Sequence, residues 1–420
     1  MSNKTANFVQ EGRRLVTIRK IDNIQPIENA DAIELATVDG WNVVVKKGEF
    51  EVGHYCVYFE IDSFLPMNNK HFAFLASRGT KIDEKGIERY RLRTIKLRGE
   101  ISQGLLLPAH IIWDELVSMV FRFSNDDPYS IEEEVSTLLE ELEESRNGIE
   151  EFLNVTKYER PEEREGGTTR AKTGGEFPIM IPKTDEDRIQ NVHGKYLSTM
   201  QGVLFRESLK MEGSSHTMAF LMDPEHYLQK LDDSVRTWDE EKQELVVTEV
   251  KPYPFQWDDG QFIVASRNHT LKFDADSHFW KPVLQNDFPE RLRKYCVEHD
   301  VSVAVQSEVM GAGIQGNIEK FTEHQLFGFR VYNIDERRFF TDEEFIDFST
   351  EIGLQLAPQG DIIDFFGTYP DIKDALASAE RPSINAPQAE GFVYKSVQPV
   401  NGKMVSFKVI NNKYLLKEKD

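Results

Sequence analysis

The chain has 420 residues, 40% of them hydrophobic, and a formal net charge of -22. That length allows two or three domains with real cores. The composition excludes a simple nucleic-acid binder held by bulk positive charge, and no run approaches the roughly 18–20 apolar residues of a membrane span.

In chain order, the first ~110 residues read as short strands, with candidates at 14–21, 32–38, 41–46, 55–61 and 89–97. Asp39-Gly40 is a hairpin-type turn between two of them. Five short strands in this span suit a small closed barrel. In Arg89-Tyr90-Arg91-Leu92-Arg93 the arginines recur at every second position, which places them on one face of a strand, and Lys96 and Arg98 extend the basic character. That face is either solvated or tracks phosphates. The segment 126–165 holds 15 acidic and 4 basic residues, a net of -11, which is half of the whole chain's excess. Within it, Ser130 and Glu133 form a capping-box pattern, and Ile131, Val135, Leu138, Leu139 and Leu142 recur at helical spacing, so an amphipathic helix is expected, with Asn147-Gly148 as a stop. Packing on its own protein is the usual fate of such a stripe. Residues 160–175 turn to Glu, Gly, Thr and Arg, the composition of a linker. From Phe177 onward strands and helices mix. Strands are expected at 302–309, 390–396 and 404–410, the last two joined by the Asn401-Gly402 turn. The fold class expected is α+β: a barrel over 1–112, an acidic helical insert and linker over 113–175, and an antiparallel α+β domain over 176–420. Cys56 and Cys296 form no metal-ligand cluster and the N-terminal residues contain no signal-peptide core, so a reduced, cytoplasmic protein is expected.

The chemistry gathers around Lys210. Attack by a lysine on a nucleoside triphosphate requires a neutral amine, cationic contacts and a divalent metal for the phosphates, carboxylates to hold that metal, and a flat apolar wall for the base. Lys210-Met211-Glu212-Gly213 resembles motif I of the covalent nucleotidyltransferases, the polynucleotide ligases and mRNA capping enzymes. Ser266-Arg267-Asn268 resembles the Ser-Arg-Asn that follows it in ligases. Ser307-Glu308-Val309-Met310-Gly311-Ala312-Gly313-Ile314-Gln315-Gly316-Asn317 resembles RNA-ligase motif III, and Phe327-Gly328-Phe329-Arg330 resembles motif IIIa. Glu390-Gly391-Phe392-Val393-Tyr394-Lys395 is similar to motif IV, and Phe407-Lys408-Val409-Ile410 to motif V. The N-terminal patterns Ala30-Asp31-Ala32-Ile33-Glu34, Gly40-Trp41, Ile61-Asp62-Ser63 and Leu97-Arg98-Gly99-Glu100-Ile101-Ser102-Gln103-Gly104-Leu105, with 181–191 upstream of Lys210, resemble the type 5 ATP-dependent RNA ligases, which join an N-terminal OB module to a nucleotidyltransferase domain.

The resemblance implies an ATP-dependent RNA ligase of RNA repair that joins 3′-hydroxyl and 5′-phosphate ends through a lysyl-AMP and an RNA-adenylate. Its implied cofactors are ATP and Mg²⁺ or Mn²⁺, and the implied form is a monomer. Lys210 is then the nucleophile. Glu308 and Glu390 organise the metal through its waters, with Glu212 near the ribose or metal. Phe329 stacks on adenine, Arg267 contacts the ribose or the RNA 5′-phosphate, and Lys408 grips the α-phosphate. Leu209 lies at the nucleotide and Arg188 orients the triphosphate. Arg89, Arg91, Arg93, Lys96 and Arg98 hold RNA. Alternation along 390–394 and 406–410 is expected to turn Glu390 and Lys408 into one cleft.

The chain departs from the family pattern where motif V has Ile410 in place of a second lysine. DNA ligases and capping guanylyltransferases, the neighbouring readings, carry an OB domain after motif V, and here 12 residues follow Lys408. A catalytically decayed RNA-binding protein would have lost Lys210, Glu308, Glu390 or Lys408, and all four are present. Gly311-Ala312-Gly313-Ile314-Gln315-Gly316 also satisfies the dinucleotide fingerprint, but the nine residues between Gly316 and Leu326 are too few for a parallel crossover.

Overall fold

In the computed structural model, which describes residues 13–123, 131–158, 173–223, 235–239, 244–249 and 253–417, the N-terminal region is built of short antiparallel strands. Strand Tyr55–Phe59 pairs with Val16–Lys20 on one side and Leu105–Pro108 on the other. Asn23–Pro26, Ile33–Val38 and Trp41–Lys46 form a meander, turned at Asp39 with φ 48°. The strand expected over 89–97 is two strands. Glu88–Arg91 pairs with Ser63–Pro66, whereas Thr94–Leu97 pairs with Glu100–Gln103. The change of partner occurs around Leu92, which sinks into the core.

The contacts divide the chain into two compact units, one of residues 1–161, 185–198 and 412–420 and one of residues 162–184 and 199–411. Where the sequence suggested boundaries after 112 and 175, the acidic helical segment joins the first unit. Helix Ile131–Ser145 forms as its spacing implies, and its Val135 and Leu139 are buried in the barrel's own core with Val16, Ile18 and Val57. The apolar stripe therefore serves this protein rather than a partner. The helix stops one residue before the expected Asn147-Gly148, because Arg146 takes a left-handed conformation, φ 56°. Ser130, the proposed cap, lies outside the described residues.

Among the described residues the second unit has two large antiparallel sheets and one two-stranded sheet. The larger runs in the order Thr173–Glu176, His269–Leu271, Gly260–Ser266, Ser214–Leu221, Val303–Met310, Gln325–Asn333, Arg338–Phe339, with Gln256–Trp257 also against Gly260–Ser266. Because Val303–Met310 and Gln325–Asn333 are antiparallel neighbours, the glycine fingerprint between them belongs to no Rossmann crossover. One face of this sheet packs on helices Phe288–His299 and Asp342–Ile352 through Phe288, Leu292, Cys296, Phe345, Phe348 and Ile352. Thr341 and Glu344 cap the second of these helices reciprocally. The other face is covered over part of its area by Ile181 against Ala219, Ile263 and Ala304. The smaller sheet has, within this unit, the order Ser406–Ile410, Gly391–Ser396, Leu204–Leu209, Gln359–Asp364. In the stretch that the family motifs leave uncovered, strands Val235–Asp239 and Glu244–Glu249 pair antiparallel. Among the described residues no helix is long and apolar enough to cross a membrane.

The two sheets are tied by 354–358. Gly328 of the larger sheet bonds to both sides of this segment, donating to Gln355 O at 2.8 Å and accepting from Ala357 N at 2.9 Å, while Leu209 N of the smaller sheet donates to Pro358 O at 2.8 Å. A Cβ on Gly328 would meet Leu354 Cδ2 at 2.4 Å, so a side chain there would push the tie away. This places the residue before Lys210 and the residue before Phe329 on one short span of chain.

Candidate active site

Lys210 follows the last residue of strand Leu204–Leu209, and its backbone N donates to Gly391 O at 3.0 Å. Its Nζ lies 2.7 Å from Glu390 Oε1, with both side chains largely withdrawn from solvent. Glu308, on strand Val303–Met310, accepts a hydrogen bond from Gly213 N at 3.1 Å. Gly213 is required there, because a Cβ would stand 2.3 Å from Val309 O. Burial first, and then the charge of Glu390, push the Glu308 carboxyl up to about 7, against the opposing pull of Lys210, Gly213 N–H and Arg267. Motif I, motif III and motif IV thus converge on one ammonium and two carboxylates. Arg267, half-buried, follows strand Gly260–Ser266 at a turn that Ser266 Oγ closes. Glu212 approaches the motif III loop, since a Cβ on Gly316 would lie 3.3 Å from Glu212 Oε1.

Lys408 is buried. The register pairs it with Val393, so it shares a face with Val393 and Lys395 rather than with Phe392 and Tyr394. Glu390 escapes that parity because it lies before the strand, which starts at Gly391. Gly391 approaches Val409 O so closely that a Cβ would stand 2.3 Å from it. Lys395 Nζ lies 5.5 Å from the Phe329 ring centroid and donates to Phe329 O. Phe329 is half-buried and sits in a bulge. Gln306 pairs with Arg330 and Ser307 with Gly328, so Phe329 is the unmatched residue.

Comparisons with known proteins bear on the family. A family model described as RNA ligase matches residues 205–410, and one described as an OB-fold domain matches 15–109. A solved structure titled Naegleria gruberi RNA ligase with pyrophosphate is 31% identical, with a TM-score of 0.73, covering 97% of this chain and 100% of that one. A variant of the same protein with AMP and Mn matches at 30% identity and TM-score 0.72, covering 97% of this chain and 99% of that one. No curated protein matches. The chain belongs to the RNA ligase family. The ligase has the architecture that the motifs implied, an OB-fold module preceding a nucleotidyltransferase-type α+β domain.

The ligase distributes its remaining expected site residues unevenly. Leu209 is buried beside Lys210. Arg188 lies in the first compact unit, buried, with Nε 3.4 Å from Glu60 Oε1 and Nη2 3.5 Å from Asp62 Oδ2. Arg13 completes that cluster, 2.7 Å from Glu60 and 3.1 Å from Asp62. Arg91 joins it, Nη2 to Asp62 Oδ1 at 2.7 Å, with its guanidinium 4.5 Å from the Tyr158 ring centroid. Arg89 is 1% exposed and donates to Asp83 Oδ2 at 2.5 Å and to Asn154 O at 2.6 Å. The period-two arginines at 89 and 91 thus share a face, but that face is turned into the protein, where carboxylates and carbonyls accept from the guanidinium groups. Arg93 is half-buried, and Lys96 and Arg98 are exposed on the hairpin Thr94–Leu97/Glu100–Gln103, with Arg98 at φ 49° in its turn. Three residues of the site's surroundings were passed over in the sequence. Glu319 is 2% exposed and accepts from Asn385 N at 2.6 Å. Glu207 accepts from Tyr394 Oη at 2.6 Å and Arg381 Nη2 at 2.7 Å. Gln306 is 2% exposed on the strand that carries Glu308. Only Gln306 carried a signal, as a polar side chain after Val303-Ala304-Val305.

Proposed function

We propose that the ligase uses ATP, forming a lysyl-AMP on Lys210, and joins a 3′-hydroxyl to a 5′-phosphate of RNA. The observation that carries this reading is the convergence of Lys210, Glu390 and a buried Glu308 held near neutrality. Lys210 Nζ attacks the α-phosphorus in line with the departing pyrophosphate. The AMP then passes to the RNA 5′-phosphate, and the 3′-hydroxyl attacks that phosphate and expels AMP. Before the first step Nζ must give up a proton, and Glu390 Oε1 at 2.7 Å is a placed acceptor. Two carboxylates of like charge, one pushed up by burial and then by the other, fit a divalent cation. Among the described residues no three such groups converge as direct ligands, so Mg²⁺ or Mn²⁺ here would keep much of its water shell. When bound, it would neutralise charge on the phosphates. Glu212 stands by as a further carboxylate for ribose or metal. Phe329, backed by Lys395, is the base platform, and Leu209 lines the nucleotide site. Arg267 takes the ribose or the RNA 5′-phosphate and Lys408 the α-phosphate, while Arg188, expected at the triphosphate, is engaged with Glu60 and Asp62 in the first unit. RNA is held by Arg93, Lys96 and Arg98, while Arg89 and Arg91 keep the barrel they sit in folded. The protein acts as a cytoplasmic monomer.

Incubation with α-labelled ATP and Mg²⁺ or Mn²⁺ should label the wild-type chain. Lys210→Ala should take no label while melting at the wild-type temperature, and nicked RNA with a 5′-phosphate should be sealed only by the wild type. Wild-type labelling of Lys210→Ala, or label taken from GTP alone, would sink the proposal.

A further inference from the structure

We infer that Gln306 is a specificity-determining residue, whose side-chain oxygen accepts a hydrogen bond from the exocyclic amine of adenine and so selects ATP over purine triphosphates lacking that amine. The inference deepens the nucleotide assignment above and rests on it.

Alternation along Val303–Met310 puts Ala304, Gln306 and Glu308 on one face of the strand. Ala304 lies in the apolar cluster with Ile181 and Ala219, while Glu308 lies beside Lys210 and Glu390. Gln306 stands between these two, at the inner limit of the site. Its Nε2 donates to Pro182 O at 2.7 Å. A carbonyl can only accept, so this bond fixes which end of the amide is nitrogen. The oxygen is thereby aimed away from Pro182, fully buried, and no donor among the described residues reaches it. Leaving a buried amide oxygen without a donor costs on the order of 1–3 kcal/mol, so such a group calls for an explanation.

The neighbouring strand supplies that explanation. Phe329, the flat ring of the site, is the bulged residue opposite the Gln306–Ser307 step. A purine stacked on that ring has its edge next to the Gln306 side chain. Adenine offers an N–H donor at its six-position, whereas guanine and hypoxanthine offer a carbonyl oxygen there, which would face Gln306 Oε1 lone pair to lone pair. An acceptor held by a backbone carbonyl cannot rotate to adapt, because turning the amide would set Oε1 against Pro182 O.

The test compares lysyl-nucleotide formation from ATP and from purine riboside triphosphate, which has hydrogen where ATP has the amine. The wild type should favour ATP by roughly 10- to 100-fold in kcat/KM, the yield of one buried hydrogen bond. Gln306→Leu should abolish the preference by slowing the ATP reaction alone. If the wild type uses both nucleotides equally, the inference is overturned, and that outcome does not depend on how any variant folds. It is also overturned if Gln306→Leu slows both reactions by the same factor, which is what a purely structural role produces. Failure of the underlying nucleotide assignment would look different, as absence of labelling at Lys210 in the wild type with either compound.

Discussion

The barrel and the catalytic sheets both bury charge, with opposite outcomes. In the barrel, Glu60 and Asp62 are enclosed by Arg13, Arg91 and Arg188. Burial alone would raise the Asp62 carboxyl, but the three arginines together drag it well below the usual carboxylate range. Around Lys210 the balance is reversed. Glu308 and Glu390 outnumber the lysine, and Glu308 is pushed up to about 7. A cluster whose carboxylates are each matched by arginine is scaffolding, whereas carboxylates short of positive charge are prepared to receive it from outside. Charge density alone does not separate the two, and the net sign of the buried partners does.

The sharpest way to break this contrast is Asp62→Asn. It leaves Arg13, Arg91 and Arg188 with one buried counter-charge fewer, and should destabilise the protein by about 3–5 kcal/mol in denaturant melts. A loss below 1 kcal/mol would show that the barrel's cluster is not held by its ion pairs. Glu308→Gln should do the reverse in chelator-treated protein. The carboxyl titrates near 7 in the folded state and near its ordinary value when unfolded. Its ionised form therefore destabilises the fold above pH 7, progressively less as the pH falls, and not at all once both states are protonated. The variant should be more stable than wild type at pH 8 by about 2–3 kcal/mol, with the gain gone near pH 4. An equal stability difference at both pH values would refute the origin assigned to it. The smallest effect concerns RNA. Replacing Arg93, Lys96 and Arg98 with Ala together should weaken RNA binding uniformly across sequences and flatten the salt slope by about 2, at roughly 0.7 per phosphate contact. Arg89→Ala should lower the melting temperature instead. If Arg89→Ala alters RNA affinity and leaves stability intact, the inward-facing arginines have been assigned the wrong role.

Much of the site was legible because its parts lie in short ordered motifs: Lys210 with Gly213, Glu308 at the end of an apolar strand, Glu390 before Gly391. Spacing failed where pairing partners mattered. Period two correctly put Arg89 and Arg91 on one face but could not say which way that face turned, since Asp62, Asp83 and Asn154 are contributed from elsewhere in the chain. Parity likewise could not say how Lys408 and Glu390 relate, because register across two strands is not a property of either one. Gln306 showed only as a polar break in an apolar strand, since what distinguishes it is the absence of a donor around one oxygen in three dimensions.

The sequence by itself determined the chemistry available, namely a lysine nucleophile, two later glutamates and a motif V lysine in RNA-ligase order, along with the barrel and the amphipathic helix. Hydrophobic period and turn residues act over a few positions, so these could be read locally. Only the tertiary structure decided which charges are mutually neutralised and which are left wanting a cation. Burial and Coulomb energy depend on neighbours brought together from distant parts of the chain.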